Sequence, residues 1–254
     1  MKILHSIKRQ IPNLITLGNL LCGVIAIGYA YGGALQTAAL LICLGIFLDF
    51  FDGLTARLLG VTSPLGKELD SLADVVTSGV APAYILFCLI DNAFNCFGGS
   101  NLIYYLSITA FLMPLFAAYR LAKFNLDTRQ SHSFLGLPVP SNALIWVGIA
   151  LTTNGCTNTP EALAPIVANP VFPYCLIAIS LITDILMVSE LPMFSLKFNF
   201  KDLSWKTNRI QYIFLIGCVL IIATTRQWYA ISLIILWYIL FSLLTQRKHT
   251  PNEQ

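Results

Sequence analysis

Long apolar segments constrain this chain more than any other feature. A helix needs about 20 mostly apolar residues to cross a bilayer, and the chain offers eight stretches near that length: Leu14–Tyr31, Ala34–Leu59, Leu65–Ile90, Leu102–Phe124, Asn142–Thr153, Val171–Val188, Ile210–Thr224 and Trp228–Leu244. Only 11% of the residues are charged, whereas a soluble domain has about 25%. The sequence therefore predicts an all-α, polytopic transmembrane helix bundle, with residues 1–254 forming a single membrane domain.

The distribution of basic residues predicts how the chain is oriented. With the N-terminus in the cytoplasm, eight spans place fourteen of the fifteen Lys and Arg residues on the cytoplasmic side and leave only Arg226 outside. This asymmetry follows the positive-inside rule. Removing the short fifth span would move the basic segment Lys197–Arg209 outside. We therefore expect eight spans, both termini in the cytoplasm, and a location in a bacterial inner membrane.

A group of acidic residues lies where the second and third predicted spans meet. Residues 49–74 read DFFDGLTARLLGVTSPLGKELDSLAD, and they contain five of the twelve acidic residues, four of which are aspartates: Asp49, Asp52, Asp70 and Asp74. The first two are three residues apart and share a helical face with Gly53 and Ala56, while the second pair is four residues apart, with Gly66 one turn earlier. Turn-forming residues at 60–64 can reverse the chain. The two helices should then present their carboxylates to each other.

Four carboxylates in a partly apolar site repel one another unless cations neutralise them. Ligation by oxygen alone suits one or two Mg²⁺ or Mn²⁺ ions. Small residues beside the acids leave room for a bulky group, and Arg57 supplies a fixed positive charge for phosphate. Single intramembrane acids can also bond to a neighbouring helix, and an ion pathway would spread them across the membrane. Clustering on one side favours a metal site that binds a pyrophosphate. The net charge of +3 predicts no nucleic-acid partner.

The same window carries a family resemblance. It fits D-x2-D-G-x2-A-R-x8-G-x3-D-x3-D at every specified position, and in this it resembles the CDP-alcohol phosphotransferases. Further segments resemble the phosphatidylserine synthase branch of that family: IPNLITLGNLLCG, DSLADVVTSGVAPA, RLAKFN followed by FLGLPVP, and LMVSELP. The resemblance implies a six-helix catalytic core over about residues 10–190. It also implies about two extra C-terminal transmembrane helices at about 210–246 and a homodimer.

The resemblance also implies roles for individual residues. Asp49, Asp52 and Asp70 would be the main metal ligands, and Asp74 would contribute to the site and act as general base. The residues expected to contact the CDP part of the donor are Gly53, Ala56, Arg57 and Gly66. Asn13 and Thr16 would approach the nucleotide from the first helix, although Asn13 could equally cap that helix.

The activity implied is transfer of a phosphatidyl group from CDP-diacylglycerol to L-serine at the cytoplasmic side, by direct attack of the serine hydroxyl on the lipid-side phosphorus. Arg120 and Lys123 are candidates for binding the serine carboxylate. Together with Arg129, they could instead be topogenic charges that meet anionic headgroups. Glycerol 3-phosphate, inositol or inositol phosphate would suit the same metal site as acceptors. A transporter is the rival outside the enzyme class, and it would need no divalent metal to release CMP.

Overall fold

The computed structural model describes residues 2–95, 105–126, 134–153, 159–161, 163–193 and 208–246. Most of these residues are helical, and the two short strands pair antiparallel. The elements in chain order are α1 (Lys2–Tyr31), α2 (Leu35–Leu58), α3 (Pro64–Asp74), α4 (Ala81–Asn95), α5 (Met113–Leu126), β1 (Phe134–Leu135), α6 (Val139–Thr152), α7 (Ala164–Val167), α8 (Phe172–Val188), β2 (Pro192–Met193), α9 (Arg209–Thr225) and α10 (Ala230–Gln246).

An apolar helix lies at each of the eight predicted segments. Four helical segments are long and apolar enough to cross a membrane: Gln10–Tyr31, Leu35–Leu58, Pro64–Asn95 and Tyr105–Leu126. The other four helices are apolar but shorter, namely α6, α8, α9 and α10. The all-α membrane bundle predicted from the sequence is therefore confirmed. Two of its helical segments are longer than predicted, because the first begins at Lys2 and the third extends to Asn95.

The outer surface of the bundle is apolar. Large hydrophobic side chains stay exposed along α2, with Leu58 at 77%, and at the end of α5, with Leu126 at 84%. Soluble monomers rarely expose such contiguous apolar surface. The buried side of the helices meanwhile forms one cluster around Ile42, Leu86 and Trp146. Lipid is thus the natural solvent of this surface, and the chain is an integral membrane protein.

Two glycines let α1 and α2 approach the third helical segment closely. A Cβ atom added at Gly45 would lie 2.5 Å from the Cγ2 atom of Thr77, and one added at Gly23 would lie 2.5 Å from the Oγ1 atom of Thr77. Real Cβ atoms do not approach other atoms so closely, so only glycine fits at either position. The two helical segments that carry the acidic motif and α1 consequently pack closely around Thr77.

Irregular turns precede two prolines inside helices. Val75–Val80 is π-helical and joins α3 to α4, and Ile108–Leu112 is a 3₁₀ turn before α5. Proline has no N–H to donate to the carbonyl four residues earlier, and Pro82 and Pro114 follow these turns. The π-helical segment begins directly after Asp74, so the last acid of the motif lies where the helix changes its winding.

The segment between α5 and α6 is tied to the end of α8. Gly136 adopts φ +73°, and a Cβ atom there would lie 2.6 Å from the carbonyl oxygen of Met187. The Leu137 N–H donates to the carbonyl of Leu186 at 3.0 Å, and β1 pairs with β2 beside it. This join brings the end of α8 next to α5.

The two C-terminal helices attach to the bundle through α10. Ser232 Oγ donates to the carbonyl oxygen of Ile145 at 2.6 Å, and a Cβ atom at Gly148 would lie 2.8 Å from the backbone nitrogen of Ser232. α10 therefore packs closely on α6, and α9 packs on α10.

Gly45→Ala should lower the stability of the folded bundle by about 1–3 kcal/mol, which is typical of overpacking in a well-packed interior. The matched control is Gly28→Ala, because a Cβ atom at Gly28 meets nothing within 4 Å. Thermal unfolding of both variants in the same detergent measures the difference. Equal melting temperatures for Gly45→Ala and wild type would contradict the close packing of α2 against Thr77.

Candidate active site

Three carboxylates of the motif come together. Asp49 on α2 and Asp70 and Asp74 on α3 each offer an oxygen, and these atoms all lie within 4.8 Å of one another. Asp74 is buried, and the Oδ1 atom of Asp70 is buried without a hydrogen-bond partner in the described part of the chain. We call Asp49, Asp70 and Asp74 the acidic triad. The facing arrangement predicted from the i, i+3 and i, i+4 spacings is observed for these three carboxylates.

Asp52 stands beside the triad with a partner of its own. The Thr16 hydroxyl on α1 donates to the Oδ2 atom of Asp52 at 2.5 Å. The charge of Asp52 still interacts with that of Asp70. The sequence predicts one set of four ligands, whereas the structure groups three of them and holds the fourth by a hydroxyl. Thr16, expected to approach the nucleotide, has this second contact that the sequence analysis missed.

A cavity of about 290 Å³ opens next to Asp52 and Asp70. Every residue expected to contact the CDP part of a donor lines it. The complete lining is Pro12, Asn13, Thr16, Asp52, Gly53, Ala56, Arg57, Val61, Thr62, Ser63, Gly66, Lys67 and Asp70. Asp49 and Asp74 are not among these residues, so the cavity reaches the triad from the Asp70 side.

One wall of the cavity is positively charged, because Arg57 and Lys67 line it. The Arg57 Nε atom donates to the carbonyl of Gly53 at 3.0 Å, and Lys67 Nζ donates to the carbonyl of Asn125 at 3.1 Å. α3 also starts here, because Ser63 is its N-cap and accepts from the Gly66 N–H at 3.0 Å. A helix N-terminus carries partial positive charge. This wall can therefore hold phosphate oxygens.

The sequence analysis missed Thr62, Ser63 and Lys67 as cavity residues. The dipeptide Ser63-Pro64 was a usable signal, because Ser at the N-cap followed by Pro at the first helical position starts a helix. Asn13 is not a helix cap, since α1 already begins at Lys2. That alternative is wrong, and Asn13 instead faces the cavity with its Oδ1 atom 3.3 Å from where a Gly66 Cβ would lie.

The two basic residues proposed for an acceptor differ in their surroundings. Arg120 is 8% exposed and lies near enough to Asp74 for their charges to attract. Its Nε atom has no hydrogen-bond partner within the described ranges, and its guanidinium lies 5.8 Å from the ring centre of Phe124. Lys123 instead forms an ion pair with Glu190 at 3.1 Å. Burial separates Arg120 from lipid headgroups, while Arg129 lies outside the described residues.

Asp184, to which the sequence assigns no role, is fully buried and hydrogen-bonded. It accepts from Asn142 Nδ2 at 3.3 Å and from Ser180 Oγ at 3.4 Å. The Asn142 contact joins α6 to α8, and Asp184 is not part of the acidic triad. Asp184 is therefore explained by packing between two helices, and the site can be described without it.

The donor set of the triad fits a hard divalent cation. All its ligand atoms are carboxylate oxygens, which Mg²⁺ and Mn²⁺ prefer, and the unpartnered buried oxygen of Asp70 lacks the hydrogen bond that such an atom normally has. The positive wall, the acidic triad and the buried Arg120, which attracts the charge of Asp74, provide groups suited to both anionic and cationic ligands. The fold and the site define an integral membrane enzyme.

Comparison with known proteins identifies the family. The family model of CDP-alcohol phosphatidyltransferases matches residues 9–182, so the chain belongs to that family. A CDP-diacylglycerol–serine O-phosphatidyltransferase of Bacillus subtilis is 36% identical over 144 residues, which are 57% of this chain and 77% of that relative. Proteins with the same name from Helicobacter pylori (strain J99) and Methanocaldococcus jannaschii are 38% and 39% identical, over 56% and 57% of this chain. The matched segments span 58% and 62% of these two relatives.

Proposed function

We propose that this enzyme transfers a phosphatidyl group from CDP-diacylglycerol to L-serine, releasing phosphatidylserine and CMP. One observation carries the proposal: Asp74 belongs to the acidic triad and its charge attracts the buried Arg120, whose Nε atom has no hydrogen-bond partner among the described residues. In this proposal Asp74 would be the base and Arg120 the carboxylate-binding group, within electrostatic reach of each other. The relatives named serine phosphatidyltransferases support serine as the acceptor.

Asp49, Asp70 and Asp74 would hold one or two Mg²⁺ or Mn²⁺ ions, with Asp52 completing the set. Bound there, the cation would neutralise charge on phosphate oxygens and on the leaving group. The chain's own contribution is to place the three carboxylates of the triad within 4.8 Å of one another and to start α3 at the cavity that Asp52 and Asp70 line.

The donor would occupy the cavity with its pyrophosphate between the positive wall and the acids. Arg57 and Lys67 supply charge, and Gly53, Ala56 and Gly66 leave space for the nucleotide to approach the helix backbones. Asn13 would contact the nucleotide from α1. The acyl chains would extend along the apolar outer surface of α2, where Leu54 and Leu58 are exposed.

The acceptor would lie on the other side of the triad, between Asp74 and Arg120. Arg120 would bind the serine carboxylate, with Lys123 contributing if it is released from Glu190. Asp74 would take the proton from the serine hydroxyl. The hydroxyl oxygen would form a bond to the lipid-side phosphorus as the bond to the bridging oxygen breaks, and CMP would leave with that electron pair. Positioning and charge neutralisation are the main contributions in such transfers.

Residues 1–254 would form a single membrane domain with the active site at the cytoplasmic side. The concentration of basic residues on one side supports this orientation, and Arg57 and Lys67 at the cavity are both exposed. The catalytic core would cover about residues 10–190, and the helices at about 210–246 would be additions to it. A bacterial inner membrane and a homodimeric assembly complete the proposal.

An assay of the purified protein with CDP-diacylglycerol tests the proposed function. Serine, glycerol 3-phosphate and inositol phosphate are offered separately, each with EDTA, Mg²⁺ or Mn²⁺. We expect CMP release only with serine plus a metal ion, and phosphatidylserine as the lipid product. Metal-dependent CMP release with another acceptor would support the same transfer reaction, with that acceptor in place of serine. Movement of lipid or serine across vesicles without CMP release would overturn the enzyme proposal.

A further inference from the structure

Asn19 is a buried polar residue that the proposed mechanism leaves unused. It lies on α1 with 0% exposure, and its Nδ2 atom donates to the Oδ1 atom of Asp74 at 3.4 Å. Its own Oδ1 atom has no hydrogen-bond partner among the described residues. Burying an amide with one unpaired atom costs free energy. Apolar packing alone therefore does not account for an asparagine at this position.

The orientation of the Asn19 side chain follows from its surroundings. An ionised carboxylate only accepts hydrogen bonds, so the amide must turn its N–H₂ group toward Asp74. The Thr77 hydroxyl donates to the backbone carbonyl of Asn19 at 2.9 Å. Gly45 leaves space for both side chains, because a Cβ atom there would lie 2.5 Å from the Cγ2 atom of Thr77 and 2.9 Å from the Oδ1 atom of Asn19. Asn19 is thus held from its backbone and from its side chain.

Thr16 and Asn19 are three residues apart on α1, so their side chains share one face of the helix. Thr16 donates to Asp52 on α2, and Asn19 donates to Asp74 on α3. One helix face therefore contacts one carboxylate from each half of the motif. α1 contributes no carboxylate to the acidic triad. It instead holds two acids of the motif that α2 and α3 supply.

We propose that Asn19 is a positioning residue for Asp74. Its N–H group holds the Oδ1 atom of Asp74 and leaves the Oδ2 atom free for the serine hydroxyl and for a shared cation. The inference rests on the proposed function, in which Asp74 is both base and metal ligand. Partners that orient a metal ligand commonly contribute 10- to 100-fold to metal affinity or activity.

The test variant is Asn19→Leu, which has nearly the same shape as asparagine and lacks the donor. We expect kcat with serine to fall about 10- to 100-fold and the dissociation constant for Mn²⁺ to rise by a similar factor. The KM for CDP-diacylglycerol should change less than about threefold, because Asn19 does not line the cavity. Binding of Mn²⁺ without substrates is followed by electron paramagnetic resonance, so this readout is independent of turnover.

Two further variants complete the experiment. Asn142→Leu is the matched control, because Asn142 is a fully buried amide that donates to Asp184, and neither residue belongs to the acidic triad or lines the donor cavity. It should leave kcat and Mn²⁺ affinity within about threefold of wild type. Thr77→Val keeps the side-chain shape and removes the hydroxyl that holds the Asn19 carbonyl. It should lower kcat about 3- to 10-fold, and it keeps the inference testable should Asn19→Leu not fold.

The outcomes separate this inference from the proposed function. If wild type releases CMP with serine and Asn19→Leu matches it within twofold in kcat or in Mn²⁺ affinity, Asn19 does not position Asp74. A wild-type protein without serine-dependent CMP release would instead remove the proposed function. Losses in Asn142→Leu as large as those in Asn19→Leu would reduce Asn19 to a general packing role.

Discussion

Asp74→Asn should abolish nearly all turnover while CDP-diacylglycerol still binds. Removing a general base typically lowers the rate 10²- to 10⁴-fold, and an amide cannot take the proton from the serine hydroxyl. Donor binding should persist because Asp74 is not among the residues that line the cavity. Single-turnover CMP release measures the chemical step, and equilibrium binding of the CDP-lipid measures the donor separately.

The matched control for this variant is Asp91→Asn. Asp91 lies on the same helical segment, Pro64–Asn95, and accepts a hydrogen bond from Asn95 at 3.0 Å. It is seventeen positions beyond Asp74, which at 1.5 Å per residue is about 25 Å along the helix. Asp91→Asn should retain wild-type turnover. Substantial activity in Asp74→Asn would remove Asp74 from the role of base.

Arg120→Gln should raise the KM for serine about 10- to 100-fold and affect the KM for CDP-diacylglycerol far less. A hydrogen bond to a charged group is worth about 1.5–3 kcal/mol. Arg120 is buried, its Nε atom has no hydrogen-bond partner in the described ranges, and its charge is attracted by that of Asp74. Steady-state kinetics with each substrate varied in turn gives both constants.

Arg57→Gln provides the reciprocal comparison, because Arg57 lines the donor cavity. That variant should raise the KM for CDP-diacylglycerol and leave the KM for serine nearly unchanged. Lys123→Gln should have a smaller effect on serine than Arg120→Gln, since Lys123 is already paired with Glu190. Equal effects of Arg120→Gln on both substrates would refute selective recognition of serine.

Local patterns in the sequence predict most of the fold. The positions of the eight apolar helices follow from segment length, and the facing acids follow from spacings of three and four residues along two helices. The cavity residues Gly53, Ala56, Arg57 and Gly66 carry the family motif, so their grouping was also predicted. The sequence did not predict the π-helical turn after Asp74 or the strand pair beside Gly136, because both depend on contacts with other elements.

Helical periodicity acts over a few residues, and for this reason the sequence by itself determined the membrane-spanning class, the turn between α2 and α3, and the carboxylates on facing sides. Only the tertiary structure decided which three of them share a site and what holds each one. Thr16 reaches Asp52 across 36 positions, and Asn19 reaches Asp74 across 55. Such contacts depend on where helices cross, and here the crossing depends on two glycines, Gly23 and Gly45, that let three backbones meet around Thr77.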